Sequence, residues 1–140
     1  DVVSNFRLVT ATNDKEWRSK LLDDFHDRVM RIILHVPSFH EIRREDQDIG
    51  LQDIITAWQY TFRQRCAESK VNYIEPDREC MDTLSAYLKT APLRGNWRDL
   101  QRLSDCILMQ MVPLRKGRPT GLDWMQYKLE AAIEKASRSA

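Results

Sequence analysis

Arg94-Gly95-Asn96-Trp97-Arg98-Asp99-Leu100 is the stretch of this chain best suited to do chemistry. Gly95 permits a tight backbone turn. Asn96 is a favoured helix N-cap, and Asp99 follows three residues later as a weak capping-box partner. Leu100, Leu103, Ile107, Leu108 and Met111 then keep helical spacing. Arg98 therefore falls in the first turn of a helix. That end is electropositive, and its backbone N–H groups suit an anion, so an added guanidinium makes a phosphate-sensing position. The alternative from the same residues is a capped helix whose Arg98 pairs with a nearby carboxylate.

The elements that would position this arginine follow from patterning. The 140 residues suit one domain, or one domain with part of another. No segment is apolar enough over sufficient length to span a membrane, and no signal peptide is evident. The formal net charge of +1 does not announce a nucleic-acid binder. The three cysteines, Cys66, Cys80 and Cys106, form no CxxC pair, which predicts buried thiols in a reducing cytoplasm rather than a zinc site or a disulfide framework. His26, His35 and His40 share no metal-ligand spacing, so no metal site is expected.

Phe6 to Ala11 is apolar and β-branched and predicts a buried strand that ends at Thr12-Asn13-Asp14. Helical stretches are expected over Lys15 to Leu22 and Phe25 to Met30, then a second strand over Arg31 to Val36, closed by Pro37. A charged connector without apolar periodicity runs from His40 to Asp48. Four helices follow: Leu51 to about Cys66, one opening at Glu75-Pro76-Asp77, one from Asn96 to before Pro113, and one over about Leu122 to Ala136. Trp58, Trp97 and Trp124 are expected in their core, and Arg115 to Pro119 reads as a basic loop. The fold class is thus mostly α with a small α/β piece, divided into residues 1–45 and 46–140. Two strands do not make a stable parallel sheet alone, which suggests a piece of a larger α/β domain.

Three segments carry a family resemblance. Arg7-Leu8-Val9-Thr10-Ala11-Thr12-Asn13 resembles the sensor-one strand of AAA+ ATPases. Asp24-Phe25-His26-Asp27-Arg28-Val29, with the run from Ile33 through Asp46, resembles the arginine-finger helix and connector of bacterial enhancer-binding proteins, the ATPases that activate sigma-54 RNA polymerase. Gly95-Asn96-Trp97-Arg98-Asp99-Leu100 is similar to that family's sensor-two signature. Within the family, the regulators of RNA-repair operons come nearest in flavour.

The resemblance implies the end of an AAA+ α/β subdomain followed by a four-helix lid. It implies ATP with Mg²⁺ in the full-length protein, self-association into a ring, contact with sigma-54 RNA polymerase through other segments, and a cytoplasmic location. No membrane and no direct nucleic-acid contact are expected of this segment. Asn13 would hold the attacking water or report on the γ-phosphate, with Thr12 as a lesser candidate. Arg28 would act in trans on a neighbouring subunit's nucleotide, since a guanidinium suits a phosphoryl group developing charge. An Asp24–Arg28 pair within one helix is the competing role. Arg98 would reach the γ-phosphate of its own subunit. The sequence departs from the family at Leu22, which stands where a first finger arginine is usual, and at Trp97, His40 and Ile42.

No Gly-x-x-x-x-Gly-Lys-Ser/Thr loop and no acidic strand end for Mg²⁺ occur in these residues, so the 140-residue chain is expected not to hydrolyse ATP. A metal-dependent ATPase rate from it would contradict that. Two other readings stay open: a non-enzymatic helical interaction module derived from or resembling such a lid, and a helix-turn-helix DNA binder built from the helices around Met81–Lys89 and Asn96–Met111. Near-zero net charge and the acidic Asp99 argue against the last.

Overall fold

The computed structural model describes residues 11, 12, 14, 16–20, 34–45, 47–119 and 121–139. They fall into two units, Asp1–Val36 and Pro37–Ala140. In the first, Trp17–Lys20 forms a short helix, α1. Thr12 Oγ1 accepts the Asp14 N–H at 3.1 Å, and Asp14 Oδ1 accepts the Glu16 N–H at 2.9 Å, so two side chains turn the chain into α1. Lys20 pairs with Asp14 and holds its carboxyl below the usual range. Most of the strand expected over Phe6 to Ala11, and the helix over Phe25 to Met30, lie outside the described residues. The strand expected over Arg31 to Val36 is not formed in its described part. Leu34 to Val36 has no regular structure, and Leu34 and Val36 are 84% and 85% exposed.

The second unit is helical, with α2 (Phe39–Glu45), α3 (Gln47–Glu68), α4 (Arg78–Thr90), α5 (Trp97–Met111) and α6 (Gln126–Arg138). α5 packs against α3 and α6, while α4 packs against both α3 and α6. The expected apolar faces supply the core. Ile54, Trp58 and Phe62 of α3 meet Leu84 and Leu88 of α4, Leu100, Leu103, Ile107 and Met111 of α5, and Leu129 and Ala132 of α6 in one buried cluster. Trp58 stacks on Phe62 with ring centroids 5.1 Å apart, and Trp124 meets both rings. The Trp124 indole N–H donates to the Ile74 carbonyl at 2.7 Å, which satisfies its polar edge. That anchorage keeps residues 121–125 irregular, and α6 starts at Gln126 rather than near Leu122. α4 likewise starts later than its proline suggests: Asp77 is the N-cap and accepts the Cys80 N–H at 2.8 Å.

The connector expected from His40 to Asp48 is helical instead. Ser38 and Glu41 form a reciprocal capping box: Glu41 N–H donates to Ser38 Oγ at 3.2 Å, and Ser38 N–H donates to Glu41 Oε2 at 3.1 Å. Phe39 is buried and Ile42 packs on the core, so two apolar residues are enough to seat one face of α2. Arg43 donates to the Leu88 and Lys89 carbonyls at 2.7 and 3.2 Å. It thereby satisfies orphan acceptors at the end of α4 and brings positive charge to a negative helix terminus. Gly50 permits the close approach of α3, because a Cβ there would lie 2.5 Å from the Ile42 carbonyl oxygen.

The expected basic loop is a small hairpin. β1 (Leu114–Arg115) pairs antiparallel with β2 (Arg118–Pro119). Lys116 and Gly117 take φ of 52° and 75°, as the two central residues of a type I′ turn require. No helix among the described residues is long and apolar enough to cross a membrane.

Candidate functional site

The chain between α4 and α5 reverses direction at two non-glycine residues with positive φ, Leu93 at 44° and Asn96 at 50°. Asn96 N–H donates to the Leu93 carbonyl, and Arg98 N–H donates to the Gly95 carbonyl. With ψ at −118°, Asn96 lies close to the first central position of a type II′ turn, about +60° and −120°, a place that glycine dominates.

Two expectations change here. Gly95 is not the residue that takes the unusual dihedrals; Asn96 is. Gly95 matters for space, because a Cβ would stand 3.0 Å from an Asp99 carboxylate oxygen. Asn96 also fails as a side-chain N-cap of α5. Its Oδ1 accepts the Phe39 N–H at the start of α2, at 2.9 Å. The Phe39 and Trp97 rings meet edge to face, with centroids 5.4 Å apart.

Asp99 does reach back, to the Gly95 N–H at 2.8 Å, one residue earlier than a capping box would place it. Its other oxygen accepts from Arg102 at 3.1 Å. The backbone N–H groups of Arg98 and Asp99 are taken by the carbonyls of Gly95 and Asn96. An anion at this end of α5 would therefore depend on side chains more than on free amides.

Arg98 is exposed, and it makes no ion pair or side-chain hydrogen bond among the described residues. The nearest carboxylate in sequence, Asp99, is engaged by Gly95 and Arg102 instead. Arg94 is exposed beside it in sequence, and Trp97 is 49% exposed rather than part of the core that Trp58 occupies. A guanidinium so placed carries a permanent charge and a planar fork of donors with room for a phosphate or carboxylate.

The other candidates are not joined to this turn. Thr12 is exposed, and its hydroxyl oxygen serves the local turn before α1. Asn13 and Arg28 lie outside the described residues. Cys66, Cys80 and Cys106 are free and buried. Burial pushes the Cys66 thiol up to about 11, and burial with the neighbouring Asp77 pushes Cys80 to about 12, so neither is a ready nucleophile. Among the described residues no group of three or more His, Cys, Asp or Glu could hold a metal ion.

Sequence reasoning missed Asn96 as a link between helices and Ser38–Glu41 as a helix start. The second carried a legible signal, the Ser-x-x-Glu spacing. The first carried none, since its partner lies 57 residues away. No protein-family model, curated protein or solved structure matches this chain.

Proposed function

We propose that this chain supplies the sensor and lid portion of an AAA+ ATPase of the enhancer-binding kind, which works with sigma-54 RNA polymerase. Arg98 meets the γ-phosphate of ATP from the start of α5. The observation that carries this reading is an exposed arginine without a partner among the described residues, next to an Asp99 carboxylate already taken by Gly95 and Arg102. A pairing role would have used Asp99, which Arg102 and Gly95 occupy instead. Arg28 acts in trans on the neighbouring subunit, and Asn13, with Thr12 beside it, orients the attacking water. These three assignments rest on the family resemblance of their segments alone.

In this reading the guanidinium binds more strongly as charge builds on the transferred phosphoryl group, so the contact lowers the barrier rather than only tightening substrate binding. The phosphate loop and the Mg²⁺-binding carboxylate are those the family carries ahead of its sensor-one strand.

Reading the coding sequence ahead of Asp1 is the first test, and an in-frame phosphate loop is expected there. In that gene product Arg98→Ala should lower kcat for ATP about 10²-fold, the effect of removing one charge-stabilising donor. A gene product without a phosphate loop, or an Arg98→Ala variant with unchanged kcat, overturns the reading.

A further inference from the structure

Asn96 is held in a conformation that costs an L residue free energy. Glycine is adjacent in sequence but does not take it. Strain of this kind persists where the surroundings over-determine it. The surroundings here are specific. The Asn96 side chain is turned away from its own helix and accepts the Phe39 N–H, two residues before Arg98 in the chain and 57 residues from its partner.

Phe39 is not a loose partner. α2 is fixed at its start by the Ser38–Glu41 box, at its other end by Arg43 on the last carbonyls of α4, and along its length by Gly50 against the Ile42 carbonyl. The buried Phe39 ring meets Trp97, the residue between Asn96 and Arg98. One hydrogen bond and one ring contact thus join the Arg98 turn to a seated helix.

We propose that Asn96 is a positioning residue: by holding the Phe39 N–H it ties the turn that presents Arg98 to α2, so that α2 sets where the guanidinium can reach. The proposal rests on the reading of Arg98 as a phosphate-contacting residue. It goes further in naming the start of α2 as the element through which that contact is regulated.

Asn96→Gly is the informative variant, because glycine fits the observed backbone and lacks only the acceptor. In the 140-residue chain it should melt within about 2 °C of the parent, since relief of strain offsets the lost bond. Hydrogen exchange of the Phe39 amide should speed up at least about tenfold, the change expected for about 1.4 kcal/mol of lost protection. Asn96→Asp keeps an oxygen in place and should restore the slow exchange.

In the complete gene product, Asn96→Gly should lower kcat for ATP about tenfold with little change in KM, and Asn96→Asp should recover most of it. A Phe39 amide as protected in Asn96→Gly as in the parent overturns the proposal. So does Asn96→Gly with unchanged kcat beside an Arg98→Ala variant that is slow; the phosphate reading then survives without the Asn96 link. A variant that melts far below the parent marks the contact as structural and overturns it too. If Arg98→Ala itself is fully active, the phosphate reading falls first and the proposal with it.

Discussion

The starts of α4 and α5 carry the same kind of residue and use it in opposite ways. Asp77 stands in front of α4 with φ −66° and ψ 173°, and its carboxylate accepts the Cys80 N–H of its own helix. Asn96 stands in front of α5 with φ 50° and ψ −118°, and its side chain serves another helix. The approach to each helix accounts for the difference. α4 is entered from an irregular stretch, residues 71–77, long enough for the cap to take ordinary β dihedrals. α5 must be entered within the few residues between Thr90 and Trp97, so the chain reverses at Leu93 and Asn96. A cap residue with reversed dihedrals cannot aim its side chain at its own first turn. It is released to bind elsewhere.

Replacing each residue with alanine tests that contrast. Asn96→Ala keeps the strained backbone, loses the acceptor and leaves the Phe39 N–H without its partner. The expected cost is about 1 to 3 kcal/mol by urea denaturation, the range for an orphaned, part-buried donor. Asp77→Ala removes an ordinary N-cap and should cost about 1 kcal/mol. The loss should also be local in each case: protection falls at the Cys80 amide in one variant and at Phe39, outside α5, in the other. If Asn96→Ala instead loosens only the first turn of α5, the two starts are alike after all.

Most of the helical core was legible because it is periodic. Ile54, Trp58 and Phe62, or Leu103, Ile107 and Met111, repeat at helical spacing and are buried together. α2 escaped because seven residues hold two apolar positions, too few to establish a period, and Arg43-Arg44-Glu45 reads as solvated charge. Its seat comes from groups that pattern analysis does not weigh: a carbonyl pair at the end of α4 and the missing side chain of Gly50. Trp58 and Trp97 look equivalent in sequence, yet one is fully buried and the other half exposed. Only the turn before α5 decides which way Trp97 points. The position of Arg98 in a first helical turn was readable; that Asp99 would be occupied by Gly95 and Arg102 was not, since it depends on the reversed dihedrals of Asn96.

The smallest effect expected concerns the charge at the start of α4. A helix N-terminus ordinarily favours a thiolate. At Cys80, burial works the other way, and so do the Asp77 carboxylate's hydrogen bond and charge, raising the thiol from 9.0 to about 12. Between those values the folded chain keeps a proton that the unfolded chain has lost, so stability is full below pH 9 and declines as pH rises through the window. Cys66, raised by burial to about 11, declines in the same direction. Asp77→Asn separates the contributions, because asparagine caps as well as aspartate but carries no charge. The urea midpoint at pH 7 should stay within about 0.5 kcal/mol of the parent. The Cys80 titration, followed by thiolate absorbance, should move down toward the ordinary thiol range but remain above it, because burial is the larger cause. An unmoved titration would mean that the Asp77 charge adds nothing to what burial and the other neighbours do. Asp77 would then act on α4 only through its hydrogen bond, and charge would drop out of the difference between the two helix starts.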